Sequence, residues 1–215
     1  MKPPPASLRK ERAEITRARL IRAAEKIFAR DGFEAAKLEE IAADAGYTRG
    51  AFYANFSSKE DLFFALLEGE ISARIETIES AMANVGDPEA KLRVLREFFV
   101  ALSQDRRWSL LSLEFKLFAL RHPEVRARLV AMNRRLAGPR IRILQQVLVG
   151  TTRKPPVSAT ALAMSLSAAT HALALEHMLD RSAMPEAAMK QLLINYFDSV
   201  LGVQLPPSPR VKPRS

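Results

Sequence analysis

The sequence predicts an all-α protein, and three features of its 215 residues support this fold class. Apolar residues recur at spacings of three and four in one segment after another, as they do along one face of a helix. No segment alternates apolar and polar residues in the way that is typical of a half-buried strand. Glycine and proline separate the apolar segments, where they end helices. We expect a three-helix N-terminal domain joined by one long helix to a larger helical domain.

The predicted helices follow one another from residue 16 to residue 201. Residues 1–13 form a basic arm that we expect to be disordered, because three successive prolines near its start cannot begin a packed helix. The Pro-rich, basic residues 206–215 are expected to be a disordered tail. The Gly138-Pro139 pair is expected to kink or split one helix. The apolar spacing predicts helices over residues 16–30, 38–45, 49–56, 58–83, 89–103, 108–120, 123–149, 158–180 and 185–201.

The most specific pattern in the chain lies between residues 36 and 59. A short amphipathic segment ends at Gly46, a residue that can take the left-handed conformation which closes a helix. The hydroxyl of Thr48 can then cap a second helix by accepting a backbone N–H. Phe52 and Phe56 lie four apart on one face of that helix and are expected to be core residues. Two short helices joined by such a turn form a helix-turn-helix, whose second helix lies in the major groove of DNA.

The order of these signals resembles the TetR family of bacterial transcriptional regulators. The matching positions extend over about the first third of the chain. They are Thr16-Arg17, Leu20-Ile21, Ala23-Ala24, Ile27-Phe28, Gly32-Phe33, Ile41-Ala42, Ala45-Gly46, Thr48-Arg49-Gly50, Phe52-Tyr53, Phe56, Ser58-Lys59-Glu60 and Leu62. The resemblance implies a TetR-type helix-turn-helix domain over residues 14–74 and a helical ligand-binding and dimerisation domain over residues 75–205.

At the second helix the sequence departs from the family pattern. The family has hydroxyl residues where this chain has Ala36 and Lys37, and one of them caps the helix. Glu40 lies three residues after Lys37, the spacing of a capping box, but position 37 has no serine or threonine to complete it. A missing cap costs about 0.5–2 kcal/mol. The positive charge of Lys37 could replace the phosphate contact that a hydroxyl would make.

Polar and small residues around the second helix of the motif are the candidates for DNA contact. At the start of that helix, Arg49 can bind a phosphate or a guanine. Tyr53 can donate a hydrogen bond to a phosphate, and Asn55 has a side chain suited to reading adenine. Because such side chains are few, thymine methyl groups and DNA shape are expected to carry part of the specificity. The predicted DNA-binding residues are Lys37, Thr48, Arg49, Gly50, Ala51, Tyr53, Asn55 and Lys59.

By its resemblance to the family, the chain is expected to form a homodimer through its last two helices. Alanines in residues 158–180 permit close packing between chains, although they suit packing within one chain equally well. The resemblance also implies a pocket for an apolar or aromatic small-molecule effector. Each candidate lining residue has the alternative interpretation of an ordinary core residue. The candidates, with Glu114 as the polar anchor, are Phe98, Trp108, Glu114, Phe115, Phe118, Met132, Met164 and His171.

Composition and charge narrow the class of protein. The net charge of +9 and the pI near 10.2 favour a polyanionic partner. The chain contains no cysteine, so disulfides and thiolate metal sites are excluded. No apolar run has the length of a membrane span and no signal-peptide core follows Met1, so we expect a cytoplasmic protein that does not enter the membrane.

The sequence offers no catalytic or metal site. His122, His171 and His177 lack the spacing of a metal-ligand set. Neither a glycine-rich phosphate loop nor a Gly-x-Ser-x-Gly motif is present. We therefore expect neither an enzyme nor a protein that holds a metal or an organic cofactor.

Two functions of different class are compatible with these patterns. The first is a dimeric transcriptional regulator, most simply a repressor that leaves a palindromic double-stranded DNA operator when it binds its effector. A ligand in the helical domain would shift the long helix and change the distance between the two recognition helices. The second is a helical small-molecule or partner-binding protein that has weakened or lost operator binding. The missing cap, the acidic second helix and the few base-reading residues keep this alternative open.

Overall fold

Helices occupy nearly every segment in which the sequence has a helical apolar period. The computed structural model describes residues 6–148 and 157–201, and within these ranges it contains ten helices and no strand. The predicted all-α fold class is therefore confirmed for these ranges. None of these helices combines the length and the hydropathy that a membrane span requires. The helices are α1 (Ala6–Ala35), α2 (Leu38–Asp44), α3 (Arg49–Tyr53), α4 (Lys59–Ala83), α5 (Pro88–Gln104), α6 (Arg106–Arg121), α7 (Pro123–Arg135), α8 (Ala137–Leu148), α9 (Ala159–Leu179) and α10 (Glu186–Leu201).

The first helix differs from its prediction at the N-terminus. It begins at Ala6 rather than at residue 16, so most of the arm that we expected to be disordered is helical. The residues after the last proline of the arm are alanine, serine, leucine, arginine, lysine and glutamate, and all of them except serine favour helix. Residues 1–5 lie outside the described part of the chain. Gly32 interrupts α1 with φ +82° and ψ 170°, a conformation that residues with a Cβ avoid.

The predicted helix over residues 123–149 is divided into α7 and α8. The break falls at Leu136, and Pro139 lies within the first turn of α8. A proline is tolerated there because the first-turn N–H groups have no partner inside the helix. The end predicted for this helix at residue 149 and the tail over residues 206–215 lie outside the described residues.

Packing divides the chain into two units, and residues 110–135 belong to the first of them. The first unit comprises Met1–Arg74 and Leu110–Arg135. Aromatic rings form its centre: the ring of Phe63 stacks on that of Phe115 with centroids 4.2 Å apart, and Phe33 meets both rings edge-on. The sequence placed a single functional boundary near residue 75, and that functional division stays a prediction.

The second unit comprises Ile75–Ser109 and Leu136–Ser215. Here α9 packs against α5, α8 and α10, and α5 also contacts α8 and α10. The core of this unit is aliphatic, with one buried phenylalanine, Phe197. An ion pair between Arg96 of α5 and Asp198 of α10 lies beside this core, with each side chain only 12% exposed.

Candidate nucleic-acid interface

The turn between α2 and α3 has the geometry that the sequence predicts. Gly46 takes φ +78°, and its N–H donates to the carbonyl oxygen of Ala43 at 3.0 Å. The N–H of Tyr47 donates to the carbonyl oxygen of Ala42 at 2.8 Å. These two bonds are the pair that closes a helix at a left-handed residue. They direct the chain from α2 into α3.

Thr48 begins the second helix of the motif. Its backbone is extended, and its Oγ1 accepts a hydrogen bond from the N–H of Ala51 at 3.2 Å. Helix α3 has only five residues, so it depends on this cap and on packing rather than on its own propensity. The core positions predicted in this segment are confirmed, because Phe52 and Phe56 are 0% and 4% exposed.

The end of α3 is fixed by contacts from α1 and from its own side chains. A terminal nitrogen of Arg17 donates to the carbonyl oxygen of Asn55, and the guanidinium lies 4.2 Å from the centre of the Phe56 ring. The side-chain amide of Asn55 donates to the carbonyl oxygen of Ala51 at 2.8 Å. One N–H of the adenine-reading amide predicted for Asn55 is therefore engaged inside the protein in this structure.

The outward face of α3 presents a charged residue and an aromatic residue to solvent. Arg49 lies one turn before Tyr53, and its guanidinium carbon is 5.5 Å from the centre of the Tyr53 ring. The hydrogen bond to Tyr53, followed by nearby charges that include Glu39, raises the pKa of Arg49, so the guanidinium is positive at any physiological pH. Thr48 and Gly50 are also exposed, while Ala51 is half-buried. The small residues Gly50 and Ala51 therefore follow Arg49 directly, and they leave the backbone of α3 accessible beside it.

Lys59 has two backbone partners in the first unit. Its Nζ donates to the carbonyl oxygens of Glu34 at 2.8 Å and Ala36 at 3.1 Å. The ammonium also lies 4.8 Å from the centre of the Phe33 ring. Burial lowers the pKa of Lys59. The side chain of Lys59, one of the predicted DNA-binding residues, therefore ties the start of α4 to the end of α1 and to Ala36.

The missing cap of α2 is seen in the structure. Lys37 stands at the cap position with extended backbone, is exposed, and makes no side-chain capping bond. Glu40, which has no capping-box partner at Lys37, forms an ion pair with Arg30 of α1. The other acid of that turn, Glu39, pairs with Arg49 across the motif. Neither pairing could be predicted from spacing, because each joins residues on different helices.

Four of the predicted pocket residues lie in the first unit. Phe115 and Met132 are buried in its core, and Phe118 lies 4.7 Å from Phe33 between ring centroids. The carboxylate of Glu114 accepts a hydrogen bond from the backbone N–H of Phe33 at 2.7 Å. In this structure the predicted polar anchor of a ligand is thus bound to the end of α1.

The other four lie in the second unit. Trp108 is buried, and Phe98 is half-buried against the aliphatic core. His171 is half-buried, and Met164 is 66% exposed. This unit also has a cleft of about 210 Å³ whose lining includes Arg106, His177 and Glu186 and none of the eight predicted residues.

Two of the histidines have a ring nitrogen within hydrogen-bond distance of a backbone carbonyl oxygen four or seven residues away. The Nδ1 of His122 is 2.8 Å from the carbonyl oxygen of Phe118, and the Nδ1 of His177 is 2.8 Å from that of Met184. Within residues 6–148 and 157–201, no three His, Asp or Glu side chains are grouped so that they could hold a metal ion.

Two family models match the chain. Residues 20–66 match the model of bacterial regulatory proteins of the tetR family. Residues 88–202, which are more than half of the chain, match the C-terminal model of BetI-type transcriptional repressors. The two matches follow one another without overlap, and the first contains the helix-turn-helix described above.

Curated relatives match over part of the chain. The chain is similar to the HTH-type transcriptional repressor NicS of Pseudomonas putida, with 35% identity over 92 residues, 42% of this chain and 43% of NicS. It is similar to the HTH-type transcriptional regulator AcrR of Shigella flexneri, with 34% identity over 112 residues, 49% of this chain and 51% of AcrR. The chain thus spans about half of these relatives' lengths or less.

A solved structure supports the whole fold. The transcriptional regulator FadR from Bacillus subtilis, in complex with stearoyl-CoA, superposes with a TM-score of 0.65 and 19% sequence identity. The match covers 87% of this chain and 99% of that chain. At this identity the likeness establishes the arrangement of helices alone.

Proposed function

Because the chain belongs to the TetR family of transcriptional regulators, with a C-terminal part of the BetI type, we propose that it is a sequence-specific DNA-binding repressor. The observation that carries this proposal is the outward face of α3, where Arg49 and Tyr53 project beside the small residues Gly50 and Ala51. A polar face with little side-chain bulk suits a helix that must approach base edges closely.

The residues of this face have distinct proposed roles. Arg49 binds guanine or phosphate, and the hydroxyl of Tyr53 donates to a phosphate. Gly50 and Ala51 let the backbone approach the groove, and Thr48 orients α3 through its cap. Lys37 supplies charge at the start of α2 without a capping bond. Asn55 and Lys59 contact DNA through the N–H groups that their internal hydrogen bonds leave free.

A homodimer through the last two helices accounts for an exposed apolar stripe on α9. Met164 and Leu179 are 66% and 71% exposed, and Leu192 of α10 is 46% exposed. The alanines at 161, 168 and 172 lie on the same side of α9 as Met164 and are exposed. Burial of this stripe against a second copy would remove large apolar side chains from water. A two-fold dimer would then match a palindrome with half-sites about one helical turn apart.

Release of the operator is proposed to follow binding of an apolar or aromatic effector. The aromatic and methionine side chains predicted to line its site would favour such a ligand. Phe98, Trp108 and His171 all belong to the second unit and fall within the BetI-type match. An effector and DNA that favour different arrangements weaken each other's binding by the same factor, typically about 1–3 kcal/mol. That coupling is sufficient for induction.

Selection of bound fragments from the source genome tests the proposal. We expect one enriched palindrome, bound with an affinity that falls steeply as the salt concentration rises. Arg49→Ala and Tyr53→Phe should each weaken binding without changing helical content. Arg93→Ala is the matched control, because Arg93 is an exposed arginine of α5 paired with Glu89. If both variants bind as tightly as the control, the contact assignment is wrong.

A second candidate function is favoured by the internal hydrogen bonds of Asn55 and Lys59. With these two groups partly engaged and α2 uncapped, the motif has fewer free donors for DNA than its side chains contain. A helical binding protein with weakened operator recognition would show this pattern. Weak binding that does not depend on sequence would support it over the repressor.

A further inference from the structure

Three side chains form a connected group on the exposed face of the helix-turn-helix. Glu39 lies in the first turn of α2, and its Oε1 is 2.8 Å from Nη1 of Arg49. The Nη2 of Arg49 donates to the hydroxyl oxygen of Tyr53 at 3.4 Å. Glu39 and Arg49 are 58% and 62% exposed at the side chain, so the pair adds little to the stability of the fold. What it changes is the orientation of the guanidinium.

The guanidinium of Arg49 still has free N–H groups after it contacts Glu39 and Tyr53. Each terminal nitrogen of an arginine carries two N–H groups. The bond to Tyr53 uses one group on Nη2, and the carboxylate of Glu39 forms an ion pair with Nη1. At least one N–H remains free on each terminal nitrogen, and a bidentate bond to the O6 and N7 atoms of guanine requires two N–H groups. The Tyr53 hydroxyl accepts from Arg49, so its own hydrogen stays available for a phosphate.

We infer that Glu39 is a specificity-determining residue, which holds Arg49 in the orientation that reads guanine in the major groove. This inference rests on the proposed function, since it names how the same face would choose its operator. An acidic residue on a DNA-binding face repels every phosphate alike. Its useful effect must therefore appear in the choice of base, and this separates a positioning role from simple repulsion.

The neighbouring acid provides a matched control. Glu40 lies in the same first turn of α2 and is also paired with an arginine, but its partner is Arg30 of α1. Removal of either acid deletes one negative charge from the same turn. Only Glu39 contacts the arginine of α3. Glu39→Ala and Glu40→Ala therefore remove the same charge, but only Glu39→Ala removes the ion-pair partner of Arg49.

The experiment measures binding to the selected operator and to each of its single-base-pair variants, with an unrelated duplex of equal length. Wild type and Glu40→Ala should prefer a G·C pair at one position of each half-site. In Glu39→Ala this preference should fall by about five- to tenfold, within the range set by one bidentate contact. The unrelated duplex should bind more tightly to Glu39→Ala. Glu39→Gln keeps an acceptor oxygen and should retain part of the preference.

Arg49→Lys completes the test, because a lysine carries the charge on a flexible stem without the planar, rigid fork of an arginine. It should lose the same base preference, and Glu39→Ala should have no further effect on that preference in the Arg49→Lys background. The inference is overturned if Glu39→Ala alters affinity for every sequence by the same factor, as Glu40→Ala does. A wild type that selects no palindrome would instead overturn the proposed function itself.

Discussion

The carboxylate of Glu114 and the backbone N–H of Phe33 are joined by a hydrogen bond of 2.7 Å, although the residues are 81 positions apart. The bond places α6 against the point where α1 is interrupted at Gly32. A Cβ at Gly32 would lie 2.4 Å from Oε1 of Glu114, which is closer than non-bonded atoms approach. Gly32 is thus constrained both by its backbone conformation and by the space that Glu114 occupies.

Substitution of the two glycines with positive φ should differ in its cost to stability. At Gly46 no atom lies within 4 Å of a built Cβ, so Gly46→Ala meets only the backbone strain, about 1–2 kcal/mol. Gly32→Ala meets strain and the Glu114 carboxylate, and we expect it to lose at least about 1 kcal/mol more. Urea denaturation of both variants measures the difference. Gly69→Ala, in open space on α4, is the control and should not destabilise. An equal loss of unfolding free energy at Gly32 and Gly46 would show that the Glu114 side chain moves aside at no measurable cost.

Gly50→Ala should separate folding from DNA binding. Gly50 is helical, and a Cβ there would meet only Oγ1 of Thr48, at an ordinary 3.7 Å. Stability should rise by about 0.5–1 kcal/mol, since alanine favours helix over glycine. Operator binding should weaken by about 1 kcal/mol or more if the backbone approaches the base edges. Thermal unfolding and a binding titration measure the two effects. Unchanged binding would place Gly50 away from the groove.

The Arg96–Asp198 pair should make stability depend on pH. Burial raises the pKa of Asp198 above its ordinary value of 3.8, although Arg96 opposes this shift. A carboxyl with a raised pKa binds its proton more tightly in the folded state. Its contribution to the free energy of unfolding is therefore full below pH 3.8 and is lost as the pH rises through the raised pKa.

Arg96→Met should enlarge this dependence. It leaves the buried Asp198 carboxylate without a cation, and we expect a loss of about 3 kcal/mol at neutral pH. The loss should shrink as the solution is acidified, because a neutral carboxyl needs no cation. Urea denaturation at two pH values measures it. The double variant Arg96→Met with Asp198→Asn should be more stable at neutral pH than Arg96→Met alone. The opposite order would contradict the role given to burial.

Met164→Glu should disrupt the proposed dimer. It places a charge in the exposed stripe of α9, where burial against a second copy would require its desolvation. Sedimentation at several concentrations should show a monomer, and operator binding should weaken because one protomer contacts one half-site. Val130→Glu is the control, since Val130 is 43% exposed on α7, outside the stripe. A Met164→Glu dimer as tight as that of the control would move the interface elsewhere.

Local signals in the sequence predicted local structure well. The apolar period located the helices, and Gly46 and Thr48 gave the turn and the cap, because each depends on residues within one turn of helix. The core positions of Phe52 and Phe56 followed from the same spacing.

The hydrogen-bond and ion-pair partners of long side chains could not be predicted in the same way. Lys59 binds carbonyl oxygens 25 and 23 positions before it, and Glu114 binds an N–H 81 positions before it. A pattern of apolar spacing carries no information about which of several exposed acceptors a long side chain will reach. For the same reason, the acidic character of the second helix did not predict that Glu39 pairs with Arg49.

The brevity of α3 has a consequence for how such a chain could be retargeted. The helix is held by Thr48 at one end, by Arg17 at the other and by the buried ring of Phe52 beneath. Its outward positions contribute almost nothing to that support. A library that varies Arg49 and Tyr53 together with the small residues beside them, and leaves the three supports intact, would search new operators on an unchanged scaffold.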